Sequence, residues 1–303
     1  MNIRAVLVLT TILLLSLSIS GGNYYQNQEL VLKEPKVKGV DINLESPAPY
    51  PVFTGIEKPD FLSAKSVLVM DVPSRVVTYE KNPDQKLFPA STTKITTAVV
   101  AMEHFKPEDV LTVGKIETNG SSMFLVEGEK ITFENILYGL LVKSANDAAI
   151  VIAKNYPGGF EQFISSMNKK AKDLNMNNTH YMNPAGLDDE NHYTSVKDLA
   201  LISSYALKNP TFQKIVATPS YSVTDITGKK VHTFKNINEL LGKVWGVDGI
   251  KTGWTEIAGE SLVASANRNG KRVLTIVLGS LDRFGETEYL IEWSYANHRW
   301  ENQ

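Results

Sequence analysis

The sequence predicts an α+β fold in which one antiparallel sheet is built from both ends of the chain and flanked by helices. Two strand-like segments occur within residues 65–80, and three more occur within residues 249–279. Between them, apolar residues recur at helical spacing. Strands at both ends with helices between them indicate one sheet shared by the two ends, with a mostly helical insert as the other half of the molecule.

The first predicted elements are a hairpin and a helix. Residues 65–71 and 75–80 are rich in apolar and β-branched residues, and Pro73-Ser74 between them favours a turn. A helical pattern then opens at Pro89-Ala90-Ser91 and continues to Met102. A serine at a helix start is ordinarily an N-cap, so Ser91 alone predicts nothing more than a cap.

Helices dominate the middle of the chain, and strands return near its end. The predicted helices cover residues 132–142, 147–156, 160–174 and 195–207, with a break at Ser144-Ala145-Asn146 between the first two. The predicted strands cover residues 249–253, 260–267 and 272–279, with a tight turn at Asn269-Gly270 and a closing helix over residues 286–298.

Composition excludes several classes of chemistry. The chain has 303 residues, a formal net charge of −2 and no cysteine. A nearly neutral chain has no strong attraction to nucleic acid, and a chain without cysteine has no disulfides, thiolate nucleophile or cysteine-ligated zinc. The five histidines are scattered and form no His-Glu-x-x-His pair, so we expect neither a metal nor an organic cofactor.

The N-terminal region predicts export. A basic residue near the start precedes an almost wholly apolar run over residues 5–17, and small residues before Gly21 fit a signal-peptidase site. We therefore expect residues 1–20 to be a signal peptide, residues 21–60 a proline-bearing tether and residues 61–303 the folded domain. An uncleaved N-terminal membrane tether is the alternative. Both interpretations predict an extracytoplasmic domain, either secreted, periplasmic or on the outer face of the cell membrane.

Three short motifs occur in order along the chain: Ser91-Thr92-Thr93-Lys94, Ser144-Ala145-Asn146 and Lys251-Thr252-Gly253. Short patterns also arise by chance, since Ser166 to Lys169 repeats the first spacing and Ser265 to Asn267 repeats the second. Context distinguishes the first set. A serine at a helix start lies on the same face as a lysine one turn later, where backbone N–H groups face developing negative charge.

The other two motifs also have suitable surroundings. Ser144 to Asn146 falls at a predicted break between helices, so both polar side chains can project into one cleft. Lys251 to Gly253 continues a strand that begins near Val247, and we expect this to be an edge-like strand beside the cleft. A glycine in such a strand allows its backbone to come close to a ligand.

With these motifs the sequence resembles the serine D-alanyl-D-alanine carboxypeptidases, low-molecular-weight penicillin-binding proteins of the β-lactamase and D,D-peptidase superfamily. The resemblance spans about residues 60–300 and includes further blocks at Gly120 to Leu125, Tyr138 to Ala149, Asn183 to Leu187 and Val247 to Thr255. It implies a β-lactamase/D,D-peptidase-like fold with residues 61–303 as the catalytic domain.

The resemblance implies a nucleophile and its helpers. Ser91 is expected to be acylated and Lys94 to be its base, because a serine hydroxyl needs a neighbouring base at neutral pH. Burial and the positive charge of Lys251 would keep the Lys94 amine partly neutral. The backbone N–H groups of Ser91 and Trp254 would hold the oxyanion, and Ser144 would relay the proton to the leaving D-alanine.

The same resemblance implies a substrate-binding set. Asn146 would hold the peptide amide of the substrate, and Lys251 and Thr252 would bind its terminal carboxylate. Gly253 would let the strand approach the substrate closely. The expected partners are a peptidoglycan stem peptide and β-lactam antibiotics, which would be covalent inhibitors. The sequence indicates no oligomeric state.

The implied reaction is the removal of the terminal D-alanine from stem pentapeptides, and three alternatives use related sites. A D,D-endopeptidase acting on cross-links would use the same residues. A class A-like β-lactamase would need a glutamate in a Glu-x-x-Leu-Asn segment, whereas the corresponding residues 179–184 contain none. A catalytically inactive peptidoglycan-binding module is disfavoured because all the motif residues are present.

Overall fold

Strands at both ends and helices between them make up the part of the chain that the computed structural model describes, residues 48–55, 57–117 and 119–302. The strands are β1 (Tyr50–Phe53), β2 (Ser66–Asp71), β3 (Val77–Lys81), β4 (Val110–Thr112), β5 (Lys130–Thr132), β6 (Ser220–Thr224), β7 (Val231–Lys235), β8 (Val247–Thr255), β9 (Gly259–Arg268), β10 (Lys271–Ser280) and β11 (His298–Glu301). The helices are α1 (Lys94–Met102), α2 (Phe133–Leu141), α3 (Asn146–Asn155), α4 (Gly159–Asp173), α5 (Val196–Ala206), α6 (Pro210–Val216) and α7 (Arg283–Asn297). A short 3₁₀ turn (Ala90–Thr93) leads directly into α1.

A five-stranded antiparallel sheet has the strand order β3-β2-β10-β9-β8. The α+β prediction is confirmed, because strands from both ends of the chain combine in this sheet. β8 carries the Lys251 to Gly253 motif and lies at one edge, as predicted. The backbone of an edge strand is unpaired on one side, so an extended peptide can approach it there.

The sheet is fixed by apolar packing on both faces. Successive strand residues point to opposite faces, so neighbours in β2 enter different cores. Leu68 packs on the helical side with Ile95 of α1. Val67 packs on the other side with Leu290 and Ile291 of α7. β8, at the edge of the sheet, contacts the 3₁₀ turn that leads into α1.

The predicted elements are present with small shifts at their ends, and the Asn269-Gly270 turn has the expected left-handed backbone, with φ of 53° and 81°. Several short elements were not predicted: β1, β4, β5, β6, β7, β11 and α6. β1 falls inside residues 21–60, which the sequence predicts as a tether. There it pairs with β11, from Tyr50 opposite Glu301 to Phe53 opposite His298.

The predicted signal peptide, residues 1–20, lies outside the described residues, as does the tether up to residue 47. Within the described part of the chain, the helices are too short or too polar to span a bilayer.

Candidate active site

The three motifs meet at one cleft of about 430 Å³ between the β8 edge and the N-terminal ends of α1 and α3. The predicted residues that line it are Ser91, Ser144, Asn146, Thr252, Gly253 and Trp254. The two motif lysines lie beneath it, since Lys94 is 0% exposed and Lys251 is 1% exposed. The fold therefore brings together every residue that the sequence nominates for the site.

Ser91 and Lys94 form a hydrogen-bonded pair at the start of α1. Ser91 lies in the 3₁₀ turn and Lys94 is the first residue of the helix, so both side chains emerge on one face. Lys94 Nζ donates to Ser91 Oγ at 2.8 Å, to Asn146 Oδ1 at 2.7 Å and to the Ala185 carbonyl at 2.7 Å. The amine is thus held in place by contacts to three separate segments.

Burial is the main influence on the charge of Lys94. Desolvation disfavours the ammonium form and lowers the pKa of Lys94 to about 7, while the negative charge of Asp147 opposes this change. At neutral pH a large fraction of the amine is therefore unprotonated, which is the state that can accept a proton from a hydroxyl.

Ser144 and Lys251 form a second pair across the cleft. Ser144 has a left-handed φ of 62° between α2 and α3, which turns its side chain toward β8. Lys251 Nζ donates to Ser144 Oγ and to the Thr252 carbonyl, both at 2.8 Å. Burial, then the charges of Lys94 and Arg283, lower the pKa of Lys251. The sequence predicts that the positive charge of Lys251 lowers the pKa of Lys94. In the structure, the positive charge of Lys94 lowers the pKa of Lys251 instead.

A loop over residues 119–125 forms one wall of the cleft and is tied to the second motif. The Asn146 side chain donates to the Asn119 carbonyl, and the Asn146 backbone N–H donates to Ser121 O at 2.7 Å. Asp147 is buried, and its carboxylate accepts from Ser122 Oγ and from the backbone N–H groups of residues 123 and 125. No sequence motif assigns a role to Asp147, although it directly follows Asn146.

The floor of the cleft is a loop over residues 183–187. Asn183 Oδ1 accepts hydrogen bonds from three successive backbone N–H groups, which folds the loop tightly. Gly186 has a φ of +82°, and a Cβ there would lie 1.8 Å from the Ala90 carbonyl oxygen. Only glycine permits this approach, which places the Ala185 carbonyl against Lys94.

Histidines support the site from outside the cleft. The backbone N–H of Met182 donates to His192 Nδ1. The ring proton of His192 is therefore on Nε2, which donates to Thr93 Oγ1 at 2.9 Å. Burial lowers the pKa of His192 to about 4, so the ring is neutral at pH 7. His232 contacts Met123 O and Glu129 Oε1, at 2.8 Å and 2.7 Å.

The β8 side of the cleft combines close backbone approach with unpaired polar groups. A Cβ on Gly253 would lie 3.2 Å from the Ser91 backbone nitrogen, so β8 passes directly beside the helix start. Thr252 Oγ1 is buried and has no hydrogen-bond partner among the described residues. Arg283, the first residue of α7, lines the cleft and donates to the Gly253 carbonyl at 3.1 Å. No motif in the sequence predicts Arg283.

The chance matches lie elsewhere in the fold. Ser166 lies in the middle of α4 and does not line the cleft. Ser265 is buried in β9, where its Oγ accepts a hydrogen bond from Arg272 at 3.1 Å. Context at the sequence level therefore separates the three motifs from their repeats correctly.

A serine hydroxyl bonded to a buried amine, beside a second hydroxyl and a cationic edge strand, defines the class of serine-type acyl-transfer sites in which lysine is the base. The family model described as D-alanyl-D-alanine carboxypeptidase matches residues 54–281. The chain belongs to this family.

Known relatives agree with this assignment. The D-alanyl-D-alanine carboxypeptidase DacF of Bacillus subtilis is 34% identical over 245 residues, which cover 78% of this chain and 63% of DacF. The chain thus spans less than two thirds of the length of this relative. The crystal structure of the Streptomyces K15 DD-transpeptidase has a TM-score of 0.75 at 31% identity, covering 80% of this chain and 100% of that one. The ampicillin-bound penicillin-binding protein D2 of Listeria monocytogenes has a TM-score of 0.70 at 29% identity, covering 79% and 100%.

Proposed function

We propose that the protein is a serine D,D-carboxypeptidase that removes the terminal D-alanine from peptidoglycan stem pentapeptides through an acyl-enzyme on Ser91. The observation that carries this proposal is the 2.8 Å contact between Ser91 Oγ and the buried amine of Lys94. With a pKa of about 7, this amine is a base of the right strength for a reaction near neutral pH.

Acylation follows from the contacts in the cleft. The neutral Lys94 amine takes the Ser91 proton as Oγ attacks the carbonyl carbon between the two D-alanines. The backbone N–H groups of Ser91 and Trp254 stabilise the oxyanion. Ser144 then relays this proton from Lys94 to the leaving amine nitrogen, the C–N bond breaks, and water later cleaves the ester to restore the Ser91 hydroxyl.

The free C-terminus of the substrate fits the β8 side of the cleft. Lys251, Thr252 and Arg283 offer an amine, an unpartnered hydroxyl and a guanidinium there. A bound carboxylate brings a negative charge to Lys251 and favours its protonated form, so the two groups form an ion pair. On the opposite side, Asn146 holds the peptide amide next to the scissile bond.

Fast β-lactam hydrolysis is not favoured by this cleft. The floor segment contributes the Ala185 carbonyl and Gly186, where a β-lactamase of class A would need a carboxylate to activate water. Among the described residues that line the cleft, Glu256 is the sole acidic one, and it lies in the turn after β8. We therefore expect penicillin to acylate Ser91 and to leave slowly.

The working compartment belongs to the same proposal. A family that acts on peptidoglycan works outside the cytoplasm, and the N-terminal pattern predicts the route. N-terminal sequencing of the mature protein distinguishes cleavage before Gly21 from an intact N-terminal membrane tether.

Two measurements test the function. Wild-type protein should be labelled covalently by a fluorescent penicillin, and Ser91→Ala should not; equal labelling of both contradicts the assignment of Ser91. Mass spectrometry of a pentapeptide muropeptide incubated with the protein should show the loss of one alanine. Splitting of cross-linked dimers without loss of that alanine would instead identify a D,D-endopeptidase.

A further inference from the structure

A second hollow of about 550 Å³ adjoins the cleft, and we call it the lysine groove. It lies between residues 122–126, Lys143 and residues 230–234, which include β7. Ser121 and Ser144 line the cleft, whereas the residues next to them in the chain line the groove. Ser121 Oγ donates to the Lys143 carbonyl at 2.8 Å, so the two hollows share one rim.

The surface of the lysine groove is cationic. Its lining contains two lysines and no acidic residue among those the structure describes. Within the same described residues, the Lys143 ammonium has no carboxylate or hydrogen-bond acceptor at bonding distance. Lys230 Nζ lies 3.8 Å from Glu129 and its side chain stays 42% exposed.

The nearby carboxylate of Glu129 offsets part of the charge of Lys230, with which it forms a long ion pair at 3.8 Å. The Glu129 side chain is 0% exposed and contacts His232 Nε2 at 2.7 Å from behind the groove. It also accepts a hydrogen bond from the Val126 backbone N–H at 3.1 Å. Because Glu129 is buried and its ion pair to Lys230 is long, the groove keeps a net positive charge and exposes no anion beside its ammonium groups.

The groove also presents apolar side chains on a firmly held loop. Phe124 is 79% exposed, Val231 62% and Val126 51%. The Phe124 backbone has a left-handed φ of 63°, which is uncommon for a bulky residue and indicates a constrained position. Asp147 binds the backbone N–H groups of residues 123 and 125 on either side of it. Exposed apolar walls with ammonium groups suit a peptide that carries methylene groups and a carboxylate.

We propose that the lysine groove binds a carboxylate of the substrate peptide upstream of the scissile bond, with Lys143 and Lys230 as its partners. The proposal rests on the proposed carboxypeptidase function and names its substrate class, an acidic stem peptide. The terminal carboxylate lies on the β8 side of the cleft. An upstream segment that passes Asn146 on the helical side and crosses the shared rim enters the groove.

Paired substrates test this proposal. Two synthetic pentapeptides ending in D-Ala-D-Ala differ only in one upstream carboxylate, which is free in one and amidated in the other. Wild-type protein at low salt should favour the acidic peptide about five-fold in kcat/KM, the size expected of two partly exposed ion pairs. The double variant Lys143→Met/Lys230→Met should treat both peptides alike. Lys229→Met is the matched control, because it removes a neighbouring charge that does not line the groove.

Failure of the groove and failure of the function are distinguishable. A short N-acyl-D-Ala-D-Ala has no upstream carboxylate, so its rate should be the same in all variants. If wild-type protein processes both pentapeptides at equal kcat/KM, or the double variant keeps the preference, the groove proposal is overturned and the function stands. If wild-type protein releases D-alanine from none of the substrates, both proposals are overturned.

Discussion

The two serine–lysine pairs in the cleft share a contact distance and differ in origin and surroundings. Ser91 and Lys94 are three positions apart, Ser144 and Lys251 are 107 positions apart, and both contacts are 2.8 Å. Both lysines are buried. The negative charge of Asp147 opposes the lowering of the Lys94 pKa, whereas two positive neighbours add to the lowering of the Lys251 pKa.

This contrast teaches that equal geometry need not give equal chemistry. Lys94 faces three acceptors and a nearby carboxylate, so its amine remains close to the balance between its two protonation states at neutral pH. Burial and the charges of Lys94 and Arg283 lower the pKa of Lys251, and a bound anion would stabilise its ammonium form. One pair therefore suits proton transfer and the other suits carboxylate recognition.

The largest expected effect comes from removing the amine of the local pair. Lys94→Met should lower the second-order rate constant for acylation by about a thousandfold, in the range of a lost general base. Stopped-flow labelling with a fluorescent penicillin measures it. Lys169→Met, in the chance Ser166 to Lys169 repeat, is the matched control and should leave the rate unchanged. Similar acylation rates for wild type and Lys94→Met would contradict the assignment of Lys94 as the base.

A smaller effect should follow from removing the amine of the remote pair. Lys251→Met should lower kcat/KM about a hundredfold for a peptide with a free C-terminal carboxylate, the usual cost of losing a buried ion-pair partner. The loss should be much smaller for the same peptide with a C-terminal amide. Release of D-alanine and of D-alaninamide, quantified by chromatography, gives the two values. Equal losses on both peptides would argue against carboxylate recognition by Lys251.

The pH profile should report Lys94. Its amine must be neutral to act as a base, so the acylation rate should fall as pH drops through its pKa of about 7 and level off above it. Well below that pKa, the rate should fall about tenfold per pH unit, because the neutral fraction falls by that factor. Penicillin labelling rates measured from about pH 5 to about pH 9 test this prediction. A rate that is flat across pH 7 would be inconsistent with Lys94 as the base.

The smallest effect concerns a single hydroxyl. Thr252→Val should raise KM about twentyfold, the cost of one hydrogen bond to a charged group, and should leave Tm nearly unchanged because Thr252 Oγ1 has no partner to lose. Thr275→Val is the control, since Thr275 Oγ1 is also buried without a partner but lies in β10 away from the cleft. If Thr275→Val raises KM equally, the contribution of Thr252 is not specific.

The local half of the site could be predicted because its information is local. Ser91 and Lys94 are one turn apart, and a helix start after a proline is visible in the sequence. The remote pair followed from the resemblance, since no spacing rule connects Ser144 to Lys251. Arg283 has no such signal: it reaches the cleft because the hairpin of β9 and β10 returns the chain to the end of β8 before α7 begins.

The same reasoning explains which parts of the fold were predicted. Long periodic segments such as α4 and β10 are specified by their own pattern of apolar residues. The short strands β1 and β11 depend on each other, because four-residue strands have little periodicity and form through distant pairing. Asn209-Pro210 at the start of α6 is a recognisable start signal, since Asn209 caps the helix and proline suits its first turn.

The pairing of β1 with β11 has a practical consequence. Tyr50 lies opposite Glu301, so the first and last described strands form one two-stranded ribbon. Helix α7 begins at the cleft with Arg283 and ends next to β11, and its 15 residues separate the ribbon from the cleft by about 22 Å at 1.5 Å per residue. A short linker that joins β11 to β1, combined with new termini opened at Asn269-Gly270, should give a circularly permuted domain that still folds.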